Sequence, residues 1–131
     1  MTDRETLVRY RIKQAEETLA DAEAMKKGGL STRSIVNRAY YAMFYALLGL
    51  LMKTNIIVKT SKHSGIISMF DQAFILSGKM EKDFSKSLHK MFNLRQIADY
   101  KELVVISPED AEDALKQAAG FVQDIKRIIS E

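Results

Sequence analysis

The sequence has no cysteine, a single proline and six glycines in 131 residues. Without cysteine there are no disulfides and no Cys-based zinc sites, and a reducing compartment is the simplest home. Long hydrophobic runs are missing as well. The longest uncharged stretch, Ala39 to Met52, has 14 residues and falls short of the ~20 that a membrane helix needs, so it reads as a buried core helix. The opening Met1-Thr2-Asp3-Arg4-Glu5 is charged and lacks the apolar segment of a secretion signal. One soluble, cytoplasmic domain over residues 1–131 is expected. Strand-like alternation, internal repeats and low-complexity tracts are also absent.

What is present reads as helix. Gly28-Gly29, Gly78 and Ser107-Pro108 punctuate the chain. Helices are expected over about Arg4 to Lys27, Ser31 to Lys53, His63 to just before Gly78, Glu81 to Tyr100, and from Pro108 onward. Ser31 and Ser107 are placed to cap, and Pro108 suits a first helical position. The first helix carries an apolar stripe of Leu7, Ile12, Ala15, Leu19 and Ala22. The second is apolar all round: Tyr40, Tyr41, Met43, Phe44, Tyr45, Leu47, Leu48, Leu50 and Leu51 leave no polar face. Either the other four helices enclose it, or a second copy covers the remaining face, and a two-fold homodimer is the expectation.

The net charge is +3, and its distribution is uneven. Residues 53–101 carry nine Lys/Arg against four Asp/Glu, whereas residues 102–131 carry three against seven. A basic middle attracts phosphate; a solvated face of mixed charge is the plainer alternative. The stretch Lys59-Thr60-Ser61-Lys62-His63-Ser64-Gly65 is basic, rich in hydroxyls and opens a helix, where backbone N–H groups bind anions. An ordinary Ser or Thr cap accounts for it equally well. It lacks the order of a phosphate-cradling P-loop.

On the fourth helix, Phe84, Leu88 and Met91 follow i, i+4, i+7, and the same line leads to Arg95 and Asp99. An arginine on an apolar face needs a partner, because desolvating it costs several kcal/mol. That partner is Asp99, with Tyr100 adding a hydroxyl, or a phosphate. Arg38, in the apolar second helix, has Asp99 as a partner in prospect. A buried arginine–aspartate pair that fixes helix register is the structural alternative. Of the two histidines, His63 is the better acid–base candidate, because His89 lies off the apolar line. No His or carboxylate spacing fits a metal, and no cofactor is expected.

Three blocks, Asn37-Arg38-Ala39-Tyr40-Tyr41-Ala42-Met43-Phe44, then Lys59-Thr60 with His63-Ser64-Gly65, then Leu94-Arg95-Gln96-Ile97-Ala98-Asp99-Tyr100, resemble the HEPN domain (higher eukaryotes and prokaryotes nucleotide-binding). The likeness is greatest to its small stand-alone bacterial and archaeal branch, and it spans nearly the whole chain. It implies an all-α, up-and-down bundle of four to five helices that dimerises. Many relatives are RNases, often toxins or defence proteins, partnered by a minimal nucleotidyltransferase that acts as antitoxin. Their catalytic arginine is followed, across four to six residues, by a histidine, and the motifs of two subunits meet at the dimer cleft.

Arg95 fits that arginine. Tyr100, Lys101 and Glu102 occupy the histidine window, with Asp99 just before it. The resemblance therefore makes Arg95, Asp99 and Tyr100 the catalytic candidates. It makes Arg38, Lys59, Lys62, His63 and Arg95 the candidates for nucleotide or RNA binding, with His63 a stand-in for the missing histidine. Tyr100 is the nearest counterpart of a tyrosine that some partners modify with AMP. Three functions are expected in competition: a nucleotide- or RNA-binding component of a toxin–antitoxin module, a metal-independent RNase, and a non-enzymatic helical interaction module.

Overall fold

Each helix starts and stops where the local chemistry requires it. The computed structural model describes residues 2–130. Among them it places helices at Asp3–Lys27 (α1), Thr32–Lys53 (α2), His63–Phe70 (α3), Lys82–Tyr100 (α4) and Pro108–Ser130 (α5). Thr2 and Glu5 form a reciprocal cap on α1: the Thr2 hydroxyl accepts the Glu5 N–H and the Glu5 carboxylate accepts the Thr2 N–H, both at 3.1 Å. Ser31 accepts the Ser34 N–H on α2, and Ser107 accepts the Asp110 N–H on α5.

The ends of α1 and α2 share one device. Gly29 adopts φ 71° and Asn55 adopts φ 62°. Beyond them, the Leu30 N–H reaches back to the Met25 carbonyl at 3.0 Å, and the Ile56 N–H to the Leu51 carbonyl at 2.9 Å. These are Schellman caps, which need a left-handed residue that glycine supplies freely and asparagine tolerates.

Three details differ from expectation. The α1 stripe is Val8, Ile12, Ala15, Thr18 and Ala22, while Leu7 is 48% exposed. Counting back four from Ile12 reaches Val8, whereas Leu7, five back, is rotated about 140° from it. No Ser or Thr caps α3: Lys62 stands at its cap without a side-chain bond, and Thr60 accepts the Lys62 N–H instead. The α3 segment is regular only to Phe70, then widens into one π turn, Asp71–Ile75, closed by the Leu76 N–H on the Asp71 carbonyl at 2.9 Å.

The architecture is an all-α, up-and-down bundle around α2, on which α1, α4 and α5 pack. Twelve α2 residues are buried, among them Tyr40, Met43, Leu47, Leu50 and Leu51. Each large side chain contributes about 1.5–3 kcal/mol by leaving water. Gly49 lets α1 approach: a Cβ there would stand 3.2 Å from Ile12 Cδ1 and 3.4 Å from Arg11 Cβ. With its charged ends included, α2 is long and apolar enough to cross a membrane, but most of it is buried inside the bundle, as in the core helix of a globular domain. Beyond its first turns, the half-buried residues of α2 form one stripe: Arg38, Tyr41, Tyr45, Leu48 and Met52. Their 3-4-3-4 spacing follows a single seam of the helix.

Candidate functional site

The buried line of α4 is Leu88, Met91, Arg95 and Ala98. The helical period thus places a guanidinium where its neighbours are methyl and thioether groups. Arg95 is 7% exposed. Its cationic carbon lies 4.9 Å from the Tyr40 ring centroid and 5.7 Å from those of Tyr41 and Phe92. Ring faces compensate part of the lost hydration. The remaining compensation is poor. Nη1 donates to Asp99 Oδ2 at 3.4 Å, Nη2 donates to His63 Nδ1 at 3.3 Å, and the buried Nε has no partner. A guanidinium has five N–H donors, and both of these bonds sit at the long end of the range.

His63 arrives from the start of α3. It stacks on Phe44 with ring centroids 3.9 Å apart and 14° between planes. The Tyr40 hydroxyl lies 2.9 Å from the same Nδ1 that meets Arg95. An arginine only donates, so Nδ1 is an acceptor, and the proton of the neutral ring is assigned to Nε2. Tyr40 therefore donates to it. Burial, followed by the Arg95 charge, lowers the His63 pKa from its ordinary value. Burial raises the Tyr40 phenol to about 12 against the opposing pull of Arg95. At neutral pH this is a neutral imidazole held by a protonated phenol and a cation. Burial alone would lower the Arg95 pKa, but Tyr40, Tyr41 and Asp99 outweigh it and hold the side chain charged.

The acid of the cluster is shared. Asn37 Nδ2 donates to both Asp99 carboxylate oxygens at 3.1 Å. Arg38 does not meet Asp99 directly. Its Nε and Nη2 donate to Asn37 Oδ1 at 3.1 and 3.0 Å, and its guanidinium lies over Tyr41 at 5.0 Å. Asn37 has two faces, and it relays the one arginine to the aspartate of the other helix. A surface cavity of about 430 Å³ opens beside Asn37, Arg38 and Asp99.

Sequence reasoning missed the residue that positions this end of α4. Arg33 donates to the carbonyls of Ala98 and Lys101, each at 2.7 Å, and also to those of Ile97, Glu102 and Val104. It meets two carbonyls of the last turn of α4, at the negative end of the dipole, and three of the loop that follows. Nothing local marks it, since its partners lie 64 to 71 residues away. From its spacing Phe44 reads as core, and its role as the platform for His63 depends on α3.

The structure brings Arg38, His63, Arg95 and Asp99 into one cluster. Tyr100 is 73% exposed and has no hydrogen bond or ring partner there. Lys59 and Lys62 are exposed, and neither pairs with an acid among the described residues. His89 binds Asp71 Oδ2 at 2.7 Å on another part of α4. Among the described residues no group of three or more His, Asp or Glu is placed to hold a metal ion.

The model of the HEPN domain matches residues 8–128. The chain belongs to the HEPN family. It is 35% identical over its whole length to a UPF0332 protein of Thermotoga maritima, of which it covers 97%. It is 37% identical to a protein of Methanocaldococcus jannaschii named "Putative toxin", over 92% of this chain and 87% of that one. A second protein of that organism with the same designation is 31% identical over 90% of this chain and 78% of its own length.

Proposed function

We propose that this HEPN protein is the toxin-type component of a two-gene module and that Arg95 grips a phosphate of RNA or of a nucleotide. The observation that carries this reading is the state of Arg95. It is buried and charged, lies against three aromatic rings, and its hydrogen bonds to Asp99 and His63 are both long while Nε has none among the described residues. A pair that existed to fix register would be short and bidentate. Here Asp99 gives its best geometry to Asn37. A phosphate accepts bidentate donation from a guanidinium through bonds about twice as strong as neutral ones. Arg38 and the uncapped start of α3 supply further positive potential. The names of the two Methanocaldococcus relatives support a toxin-type role.

The family likeness supports a minimal nucleotidyltransferase as partner and the cytoplasm as location. It also supports a homodimer, and the half-buried seam Tyr41, Tyr45, Leu48 and Met52 is the surface for it. Tyr41 contacts Arg95 and His63, so a two-fold axis along this seam sets two clusters side by side. The test is RNA binding by wild type and by Arg95→Ala, with circular dichroism to establish that both are folded. Loss of binding in a folded variant is expected; unchanged binding would sink the proposal.

One observation favours a second reading, a metal-independent RNase: an imidazole stands on the family's arginine despite the absent motif histidine. In such a cleavage the 2′-oxygen attacks the adjacent phosphorus and the P–O5′ bond breaks. The 2′-hydroxyl proton goes to a base, the 5′-oxygen takes one from an acid, and a 2′,3′-cyclic phosphate results. A phosphate that draws Arg95 away leaves Tyr40 as the one donor to Nδ1, and the imidazole acts as that base when the 2′-hydroxyl takes the place of the phenol. Tyr40 is too weak an acid to serve as base near neutrality, and Asp99 is engaged by Asn37. RNA cleavage in chelator, lost in His63→Ala and Arg95→Ala but kept in Tyr100→Phe, is the expected pattern. Intact RNA at high protein concentration leaves binding as the whole activity.

A further inference from the structure

The two ends of α2 carry opposite surfaces. At its far end a groove of about 660 Å³ runs between the first turns of α1 and the last turn of α5, with Lys53 beside it. Its floor is apolar, made of Val8, Ile12 and Ile129. Its rim carries five bases and two acids; with Glu5 and Glu16 counted in full, the balance is +3.

At the near end, the loop from α4 to α5 turns apolar side chains outward. Leu103 is 98% exposed and Val105 is 87% exposed. The loop is pinned from beneath. Arg33 holds the carbonyls of Lys101, Glu102 and Val104, the Thr32 hydroxyl donates to the Ile106 carbonyl at 2.8 Å, and the Ile106 side chain is buried. Aliphatic groups held in water forgo the gain of burial, and a backbone fixed in advance lowers the cost of docking them. Acids surround them. Residues 102–113 carry five acids and no base, with Lys101 just before. Glu112 and Asp113 pair with Lys26 and Lys90. Glu102, Glu109 and Asp110 are exposed, and none pairs with a base among the described residues.

We propose that the groove of one copy receives the 103–105 loop of another in a head-to-tail contact. The two surfaces are complementary in both respects: aliphatic side chains meet an apolar floor, and an acidic surround meets a basic rim. A copy cannot fill its own groove. Lys53 lies 20 residues beyond Arg33 on α2, about 30 Å along the axis. The contact is heterologous, so each copy keeps a groove at one end and a loop at the other, and assembly continues as an open chain or closes as a ring. It leaves the α2 seam free, and it does not rest on the RNA reading of Arg95.

Sedimentation velocity tests it, with two charge-reversed variants. Leu103→Asp with Val105→Asp spoils the loop and keeps the groove; Arg9→Glu with Lys53→Glu spoils the groove and keeps the loop. All four side chains are exposed, and an unchanged melting temperature checks that each variant is folded. The average mass of wild type is expected to climb with concentration at about 50 mM salt and to fall back at about 500 mM, where the rim charges are screened. Each variant alone should stop at a fixed mass. An equimolar mixture of the two should assemble again, because it restores one good groove and one good loop. A wild-type mass that stays constant from about 1 μM to about 1 mM would overturn the contact. So would continued growth by either variant alone, or a mixture of two folded variants that fails to assemble. Growth indifferent to salt would overturn the role of the charges.

Discussion

The two halves of α2 are built on opposite terms. From Ala46 to Leu51 the helix is packed against apolar neighbours, with Gly49 set against Ile12. From Asn37 to Phe44 it meets a guanidinium, an imidazole and a shared carboxylate, with long bonds and an orphaned Nε. The far half contributes stability through close packing. The near half holds polar groups out of water without satisfying them fully. Poorly compensated burial of this kind is what a site tolerates for the sake of a ligand.

That contrast is open to direct attack. The largest effect is expected at Leu47→Ala, which leaves a cavity in the packed half and costs about 2–5 kcal/mol; the denaturant midpoint reads it. Arg33→Ala comes next, at about 1–3 kcal/mol, because several carbonyls at the end of α4 lose their donor. Hydrogen exchange should rise there, at residues 98–106, before it rises in α2.

Arg95→Met is the sharpest test of the contrast. If Arg95 were the partner that fixes register, its loss would cost about 3–5 kcal/mol. A change below about 1 kcal/mol is expected, since Asn37 keeps hold of Asp99 and a methionine suits the apolar face.

Smaller still is a pH effect. The folded chain holds His63 below its ordinary value, so the unfolded chain takes up the proton first, near 6.5. This contribution is complete above that pH and is lost as the pH falls below it towards the folded value. His63→Gln should remove that part of the slope and leave the part due to other groups. Tyr100→Phe should stay within about 0.5 kcal/mol of wild type, as expected for an exposed hydroxyl without a partner.

Much of this was legible in the residues. Ser31, Ser107 and Pro108 mark helix starts because capping is a bond across three residues. Arg95 was conspicuous because the 3.6-residue period carries a line of apolar side chains straight to it. The blocks that resemble the HEPN family named Arg38, His63 and Arg95 without saying that one cluster holds them. The Val8 stripe was missed by one position, and the uncapped start of α3 was missed because Thr60 and Ser61 both looked able to cap it.

The sequence by itself determined the helices, their order, the apolar load of α2 and the family. The helices and their apolar load rest on contacts within four or five residues, or on patterns that repeat at that period; the family rests on three blocks in order along the chain. Only the tertiary structure decided that His63, 32 residues before Arg95, accepts its Nη2, that Asn37 stands between Arg38 and Asp99, and that Arg33 closes the end of α4. Those bonds join side chains from different helices, and their partners are chosen by how the bundle packs, which no local spacing encodes.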